Sequence, residues 1–374
     1  MKTIVVIGCT GSVGTQTLDI VRQFPDQLSV IGMAAGNNTD LFNKLIEEFS
    51  PKYVNCNRNS AINSKGVSFL NLEEMCSLPE VDIVVMATSG LIGLEPTIAA
   101  LKAGKTIALS NKEPLVVAGE LIKQIEKEST GQIYPVDSEP SAIWQCIGSS
   151  NKVHKLIITG SGGSTRDIPI NKLDLVTPEM ALKHPNWAMG EKITIDSATM
   201  VNKAFEIIES HWLFSMPWEK MEAVIHPQSL VHSLVEFDDA SVKAQISNPN
   251  MQIPIQYALF YPDNITNPNF ERLDFKESIN MNFFPLDHER YPAFNTVLTA
   301  AQMGGSHPMV VNTADEIAVE QFLQHKIKYT DIPRIIEHMS NGHSNTTYRD
   351  IRDIHDIIND ASRKTLEICT TKYS

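Results

Sequence analysis

The chain has 374 residues, of which 42% are hydrophobic and 20% charged, a composition that folds into two or three domains and does not stay disordered. With 44 acidic against 31 basic residues the net charge is -13, which argues against a nucleic-acid backbone as partner, since such binding rests on clustered Lys and Arg. Five scattered cysteines without CxxC spacing suggest neither a disulfide framework nor a zinc knuckle, and no apolar run approaches the roughly 20 residues of a membrane span.

The opening MKTIVVIG reads as a strand and not as a signal or transit peptide; a soluble, cytoplasmic chain with reduced thiols is expected. Residues 1 to about 136 alternate β-branched runs (TIVVIG, LSVIGMAAG, KYVNC, DIVVMA, TIALS, QIYPV) with amphipathic stretches, the first a helix from about Ser12 to Gln23. That alternation predicts an α/β fold, a Rossmann-like doubly wound parallel sheet with ligands at the carboxyl ends of its strands. Gly8, Gly11 and Gly14 of GCTGSVG lie between the first strand and the first helix. They suit a dinucleotide pyrophosphate at the helix amino terminus, or else a plain tight turn. The second strand ends Ala34, Ala35, Gly36, Asn37, Asn38, without the carboxylate that NAD sites place there, which favours NADP.

Two further polar segments follow strands: Ser110, Asn111, Lys112 and Glu113, then Asp137, Ser138 and Glu139. Parallel topology would bring both to the edge that carries the glycine loop. In extended chain Asp137 and Glu139 point the same way, as a hard-oxygen pair for Mg²⁺ or Mn²⁺ or as part of a solvated loop or helix cap. No GxSxG elbow is present, and Cys146 sits in the apolar run AIWQCI, so covalent acyl chemistry is not expected.

Beyond Lys152 the pattern changes. LVHSLVEF and SVKAQIS, with a turn at Asp238 and Asp239, predict an α+β domain with an antiparallel sheet. TGSGGS at 159–164 offers an anion nest with the Ser161 hydroxyl, or a flexible turn. HPNWAMGEK at 184–192 has no regular period and either closes over a ligand or packs as a structural loop. Residues 195–214 predict one helix capped at Asp196 or Ser197, with Val201, Ala204, Phe205, Ile207, Ile208, His211 and Trp212 on its apolar face. Asn202, Lys203, Glu206, Glu209 and Ser210 gather opposite, either a solvated face or a site. His184 and His226, each preceding a proline, stand out among the histidines. After a Pro- and Asn-rich linker, TVLTAAQMG, ADEIAVEQFLQ and DIINDASRKTLEI predict a C-terminal helical bundle.

Taken together, GCTGSVG, LSNKEPLV, PVDSE, TGSGG, HPNWAMG, DSATMVNKAFEIIE, IHPQS and NPNMQIPI resemble the 1-deoxy-D-xylulose 5-phosphate reductoisomerase family, in order from the first strand to about Pro262 and more weakly through NTADEIAVEQFL. The resemblance implies NADPH-dependent rearrangement and reduction of 1-deoxy-D-xylulose 5-phosphate to 2-C-methyl-D-erythritol 4-phosphate, on the non-mevalonate isoprenoid route, by a homodimer that requires Mg²⁺ or Mn²⁺. It implies an NADPH-binding domain at 1–150, a catalytic α+β domain at 151–275 with a flap at 184–192, a linker at 276–290 and a helical domain at 291–374.

Carried over by motif, Asp137, Glu139 and Glu206 become metal ligands, and Lys112 and Ser138 contact the carbonyl and hydroxyl end of the substrate. Ser161, Ser197, Asn202 and Lys203 hold its phosphate, with His184 nearby and Trp187 lying over the substrate. Cofactor positions are Thr10, Gly11, Ser12, Val13, Gly36, Asn37, Asn38, Asn111, Glu113, Gly190 and Met251. Two positions depart from the family pattern: Pro140 stands where a His is common, and Asn37 where a Lys is common. The rival readings are an NADP-dependent semialdehyde dehydrogenase, a non-catalytic NADP-binding module and a metal-dependent aldolase without redox. The dehydrogenase needs a second-domain cysteine, which 151–290 lacks. Metal-dependent NADPH consumption with the pentulose phosphate separates the other two.

Overall fold

The structure, a computed structural model, describes residues 1–58, 61–62, 66–148, 152–187 and 189–373. Ser150 and Asn151 at the expected 150/151 boundary, and Ala188 in the expected flap, lie outside the described residues. The chain forms two compact units. One comprises Met1–Pro114, Gly119–Ser141 and Asn250–Glu271; the other comprises Leu115–Ala118, Ala142–Pro249 and Arg272–Ser374.

Among the described residues of the first unit, seven strands form one sheet: β1 (Lys2–Ile7), β2 (Leu28–Ala35), β3 (Tyr53–Cys56), β4 (Ser68–Phe69), β5 (Ile83–Met86), β6 (Thr106–Leu109) and β7 (Gln132–Pro135), in the order β4-β3-β2-β1-β5-β6-β7. Every pairing is parallel, as the βαβ alternation predicts. Such sheets are covered on both faces, and Ile4, Val5, Val6, Ile83, Val84 and Val85 are accordingly buried. The strand order reverses between β1 and β5, the topological switch at which this architecture binds ligands. Residues 8–14, 36–38, 88–90, 110–113 and 136–139 all leave carboxyl ends of strands and therefore share one edge. The helix Ser12–Gln23 has the bounds the sequence predicts. The helix Gln252–Phe260 also belongs here: Lys2 Nζ donates to the Leu259 carbonyl at 2.9 Å, and the Phe24 and Phe260 rings meet edge to face at 5.0 Å.

The second unit is built on β8 (Val153–Gly160), β9 (Met221–Ile225), β10 (Val231–Phe237), β11 (Val242–Ile246) and β12 (Phe284–Pro285), ordered β11-β10-β8-β9-β12. The expected antiparallel sheet is in fact mixed. β10 pairs antiparallel with β8 and β11, but β8 and β9 run parallel, because their connection is a long helical crossover that returns the chain in the same direction. Helices Pro292–Met303, His307–Leu323, Asp331–Gly342 and Ile351–Lys372 form the expected C-terminal bundle. Phe205, Ile207, Val297, Val311, Ile332 and Ile336 share one apolar core.

The expected single helix over 195–214 is two, Glu191–Thr199 and Val201–Phe214. Met200 between them takes a left-handed conformation, with φ 61, which an α-helix cannot contain. Asp196 and Ser197 thus lie inside the first helix and cap nothing.

Candidate functional site

The first half of the site is the β1 loop. Gly8 has φ 86, and a Cβ there would stand 2.3 Å from the Ala87 carbonyl oxygen; one on Gly14 would stand 2.2 Å from the Gly8 oxygen. Both must be glycine. Gly11 caps the helix Ser12–Gln23 with no side chain bonded to its first turn and no acidic residue within it. Its N–H groups therefore face an exposed loop (Gly11, Ser12) beside half-buried Thr10 and Val13, a surface that fits a pyrophosphate. At the end of β2, Gly36, Asn37 and Asn38 are exposed, and Asn38 is also a helix cap, its side chain accepting from Leu41 N at 3.3 Å.

The strand after the switch supplies a segment that the sequence reading passed over. Thr88 Oγ1 donates to Asn111 Oδ1 at 3.2 Å, Asn111 Nδ2 donates to the Gly90 carbonyl at 3.0 Å and to Glu113 Oε2 at 2.5 Å, and Gly90 N donates to Glu113 Oε1 at 3.3 Å. Asn111 and Glu113 thus anchor the 88–90 loop. Its signal was positional, a polar turn directly after β5.

On the same edge, Lys112 Nζ lies 2.6 Å from Asp137 Oδ2, and Asp137 Oδ1 accepts from Ser138 N at 3.0 Å. Ser138 Oγ donates to Glu139 Oε2 at 2.5 Å. Asp137 and Glu139 each present a carboxylate oxygen within 4.8 Å of the other. The extended geometry expected for this pair does not occur: Glu139 lies in the first turn of the helix Ser138–Ile147. Pro140, next in that turn, needs no N–H partner there. Met251 precedes the helix Gln252–Phe260 as its N-cap.

In the second unit, β8 runs into Ser161, Gly162 and Gly163, and both glycines have positive φ, 84 and 70. A Cβ on Gly163 would lie 2.5 Å from Ala198 Cα and 2.6 Å from the Ser197 carbonyl oxygen, so this nest packs directly on the Ser197 backbone. Arg166, another residue the sequence reading missed, donates from Nη1 to the Ser161 carbonyl at 2.8 Å.

The polar sector of the helix Val201–Phe214 is not solvated: Lys203, Glu206, Glu209 and Ser210 are all buried, which removes the surface-helix reading. Both Glu206 oxygens are held, Oε1 by Asn202 Nδ2 and Oε2 by Lys203 Nζ, each at 2.5 Å. Ser161 Oγ meets His184 Nε2 at 3.1 Å. His184 Nδ1 accepts from the N–H groups of Asn186 and Trp187 at 3.2 and 3.0 Å, so the ring orders the loop around itself. Trp187 is half-buried, 6.1 Å from the His232 ring. Gly190 is the N-cap of the helix Glu191–Thr199.

His226 proves to be structural. It is fully buried, its Nε2 accepts from Leu230 N and Val231 N, and its Nδ1 therefore donates to the Asn282 carbonyl. All five cysteines are buried and outside any disulfide; burial pushes Cys9 and Cys76 up to about 12 and Cys146 and Cys369 up to about 11, which makes these four poor nucleophiles.

Family models match along most of the chain. Residues 4–119 match 1-deoxy-D-xylulose 5-phosphate reductoisomerase, 133–214 its C-terminal domain, and 246–364 a DXP reductoisomerase C-terminal domain. The reductoisomerase of Bacillus cereus (strain Q1) is 44% identical over 92% of this chain and 93% of its own length, and that of Shouchella clausii (strain KSM-K16) is 44% identical over 98% and 100%. A solved DOX-P reductoisomerase in complex with NADPH, fosmidomycin and magnesium superposes with a TM-score of 0.94 at 34% identity, covering 99% of this chain and 98% of its own. The Zymomonas mobilis enzyme in complex with NADPH gives 0.91 at 36%, covering 99% of each chain.

Proposed function

The chain belongs to the 1-deoxy-D-xylulose 5-phosphate reductoisomerase family, and from that premise we propose that Asp137, Glu139 and Glu206 ligate a divalent cation in its active site. The chain is an NADP-dependent enzyme whose reaction is the rearrangement and NADPH-dependent reduction of 1-deoxy-D-xylulose 5-phosphate to 2-C-methyl-D-erythritol 4-phosphate, in isoprenoid biosynthesis. Its cofactors are NADPH and a divalent cation, Mg²⁺ or Mn²⁺.

The observation that carries the assignment of roles is the lysine on each buried carboxylate, Lys112 on Asp137 and Lys203 on Glu206. If Asp137 and Glu206 held a dication, Lys112 and Lys203 would be left to pair with the substrate. The donor set is all carboxylate oxygen, which fits a hard dication. When bound, the cation acts as a Lewis acid on the carbonyl and hydroxyl oxygens of the substrate.

The chain's own residues bind and orient. Lys112 Nζ and Ser138 Oγ donate to the carbonyl and hydroxyl end. Lys203, Ser161, Ser197 and Asn202 hold the phosphate, with His184 beside Ser161, and Lys203 supplies the positive charge that an acidic protein needs for an anionic ligand. Trp187, in the flap 184–192, covers the substrate and excludes water. Thr10, Gly11, Ser12, Val13, Gly36, Asn37, Asn38, Asn111, Glu113, Gly190 and Met251 bind NADPH, Met251 near the nicotinamide. Asn37 and Asn38, at the end of β2, offer neutral donors to the 2′-phosphate.

By role, 1–150 bind NADPH, 151–275 bind metal and substrate, and 276–290 link them to the helices of 291–374. A homodimer is the assembly that the family resemblance supports. Among the described residues no helix is long and apolar enough to cross a membrane. That all five cysteines lie outside any disulfide supports a reducing, cytoplasmic setting.

The test is NADPH absorbance with the pentulose phosphate. Consumption that depends on Mg²⁺ or Mn²⁺ is expected, and consumption indifferent to the metal would overturn the metal assignment.

A further inference from the structure

Behind the 161–163 nest stands a buried phenol with no part in the chemistry above. Tyr291, 2% exposed, donates its hydroxyl to the Gly162 carbonyl at 2.9 Å. The same peptide unit carries the N–H of Gly163, which donates to Ser161 Oγ at 3.1 Å. Carbonyl and N–H of one trans peptide are rigidly opposed, so fixing the Gly162 oxygen fixes the direction of the Gly163 N–H. A peptide between two glycines is the kind most easily turned over, because neither residue has a Cβ to oppose other φ and ψ values. If this one turned, Ser161 would keep its contact with His184 Nε2 but lose the backbone donor that fixes its hydroxyl from the nest side.

We propose that Tyr291 is a positioning residue: through the Gly162–Gly163 peptide it sets the Ser161 hydroxyl for the phosphate of the substrate. Burial pushes the Tyr291 phenol up to about 12, so it remains a donor throughout the working range of the enzyme. A second phenol secures the surface beneath. Tyr329 donates to the Ala198 carbonyl at 2.7 Å, which Thr165 Oγ1 also reaches at 3.0 Å. Ala198 is the residue whose Cα lies under Gly163, and its carbonyl is among those left without an intrahelical partner at the break before Met200. Tyr291 and Tyr329 thus join the helical C-terminal part of the chain to the proposed phosphate nest, within one unit.

The inference rests on the reading of Ser161 as a phosphate ligand, and the experiment separates the two. Steady-state kinetics of Tyr291→Phe, Ser161→Ala and the double variant are compared on 1-deoxy-D-xylulose 5-phosphate and on unphosphorylated 1-deoxy-D-xylulose. Tyr291→Phe is expected to raise KM for the phosphorylated substrate about fivefold, as loss of one positioning hydrogen bond does. Its kcat, its KM for NADPH and its kcat/KM on the unphosphorylated sugar should stay within about twofold of wild type.

In the Ser161→Ala background the same change should have no further effect, since coupled residues are not additive. An unchanged KM in Tyr291→Phe, an equal loss on both substrates, or effects that multiply in the double variant would overturn the proposal while leaving Ser161 in place. If Ser161→Ala itself fails to distinguish the two substrates, it is the phosphate reading that falls, and this inference with it.

Discussion

Lys203 Nζ sits 2.5 Å from Glu206 Oε2, one turn apart on the same helix, with 6% and 1% of their side chains exposed. A pair so buried needs both partners, because either charge alone would be left uncompensated. In the proposed reading the two have different tasks, Glu206 for the metal and Lys203 for the phosphate, so substitution of each should touch a different ligand.

Lys203→Ala should raise KM for the phosphorylated substrate about thirtyfold, the loss of a charge-assisted hydrogen bond of about 2 kcal/mol. KM for NADPH should not change. Steady-state kinetics with each substrate varied in turn checks this, and an unaltered KM for the sugar phosphate removes Lys203 from the phosphate site.

Lys112→Met leaves Asp137 buried without its cation, which should cost about 3 kcal/mol of stability in metal-free buffer. Mn²⁺ binds only the folded chain in this account, so it should raise the melting temperature of the variant more than that of the wild type. Differential scanning fluorimetry with and without Mn²⁺ measures both, and equal metal-induced shifts would argue that Asp137 is not a ligand.

Gly14→Ala places a methyl group 2.2 Å from the Gly8 carbonyl oxygen, a backbone atom that cannot swing aside. The β1 loop must then deform, and NADPH affinity should fall at least about tenfold. Fluorescence titration with NADPH reads this, and wild-type affinity would mean that the pyrophosphate does not rest on this loop.

Burial holds His211, His307 and His343 below the ordinary histidine value of 6.5. The unfolded chain therefore binds more protons than the folded one once pH drops below about that value. Stability is fully present above it and is lost as pH falls through the depressed folded-state values. The melting temperature should accordingly decline between pH 7.5 and 5.5. Replacing His211, whose ring stacks on Trp218 at 3.8 Å, by Phe should flatten the decline; a melting curve with the same slope in both proteins would show that the ring does not titrate on unfolding.

The parallel sheet and its ligand edge were legible because β-branched runs and amphipathic stretches alternate regularly, and because Gly8, Gly11 and Gly14 fall at a strand-to-helix junction. Apolar periodicity found Val201, Ala204, Phe205, Ile207 and Ile208, all buried, but also named His211 and Trp212, which are only half-buried. It could not show the break at Met200, since a left-handed residue other than Gly or Asn leaves no trace in hydrophobic pattern. Nor could it show that Lys203, Glu206, Glu209 and Ser210 are buried, because a polar sector looks the same whether water or protein covers it. The parallel pairing of β8 with β9 depends on where a long helical connection returns, which local sequence does not encode. Tyr291 and Arg166 escaped notice for a related reason: each acts on a backbone carbonyl, so no motif of side chains announces it.

Mn²⁺ binding followed by electron paramagnetic resonance, on the wild type and on Glu206→Gln, tests the three-carboxylate site most directly. The substitution keeps the shape of the side chain and removes one ligand charge. The account predicts Mn²⁺ affinity about a hundredfold weaker in Glu206→Gln, with NADPH affinity unchanged in a fluorescence titration; equal Mn²⁺ affinity in the two proteins would contradict it.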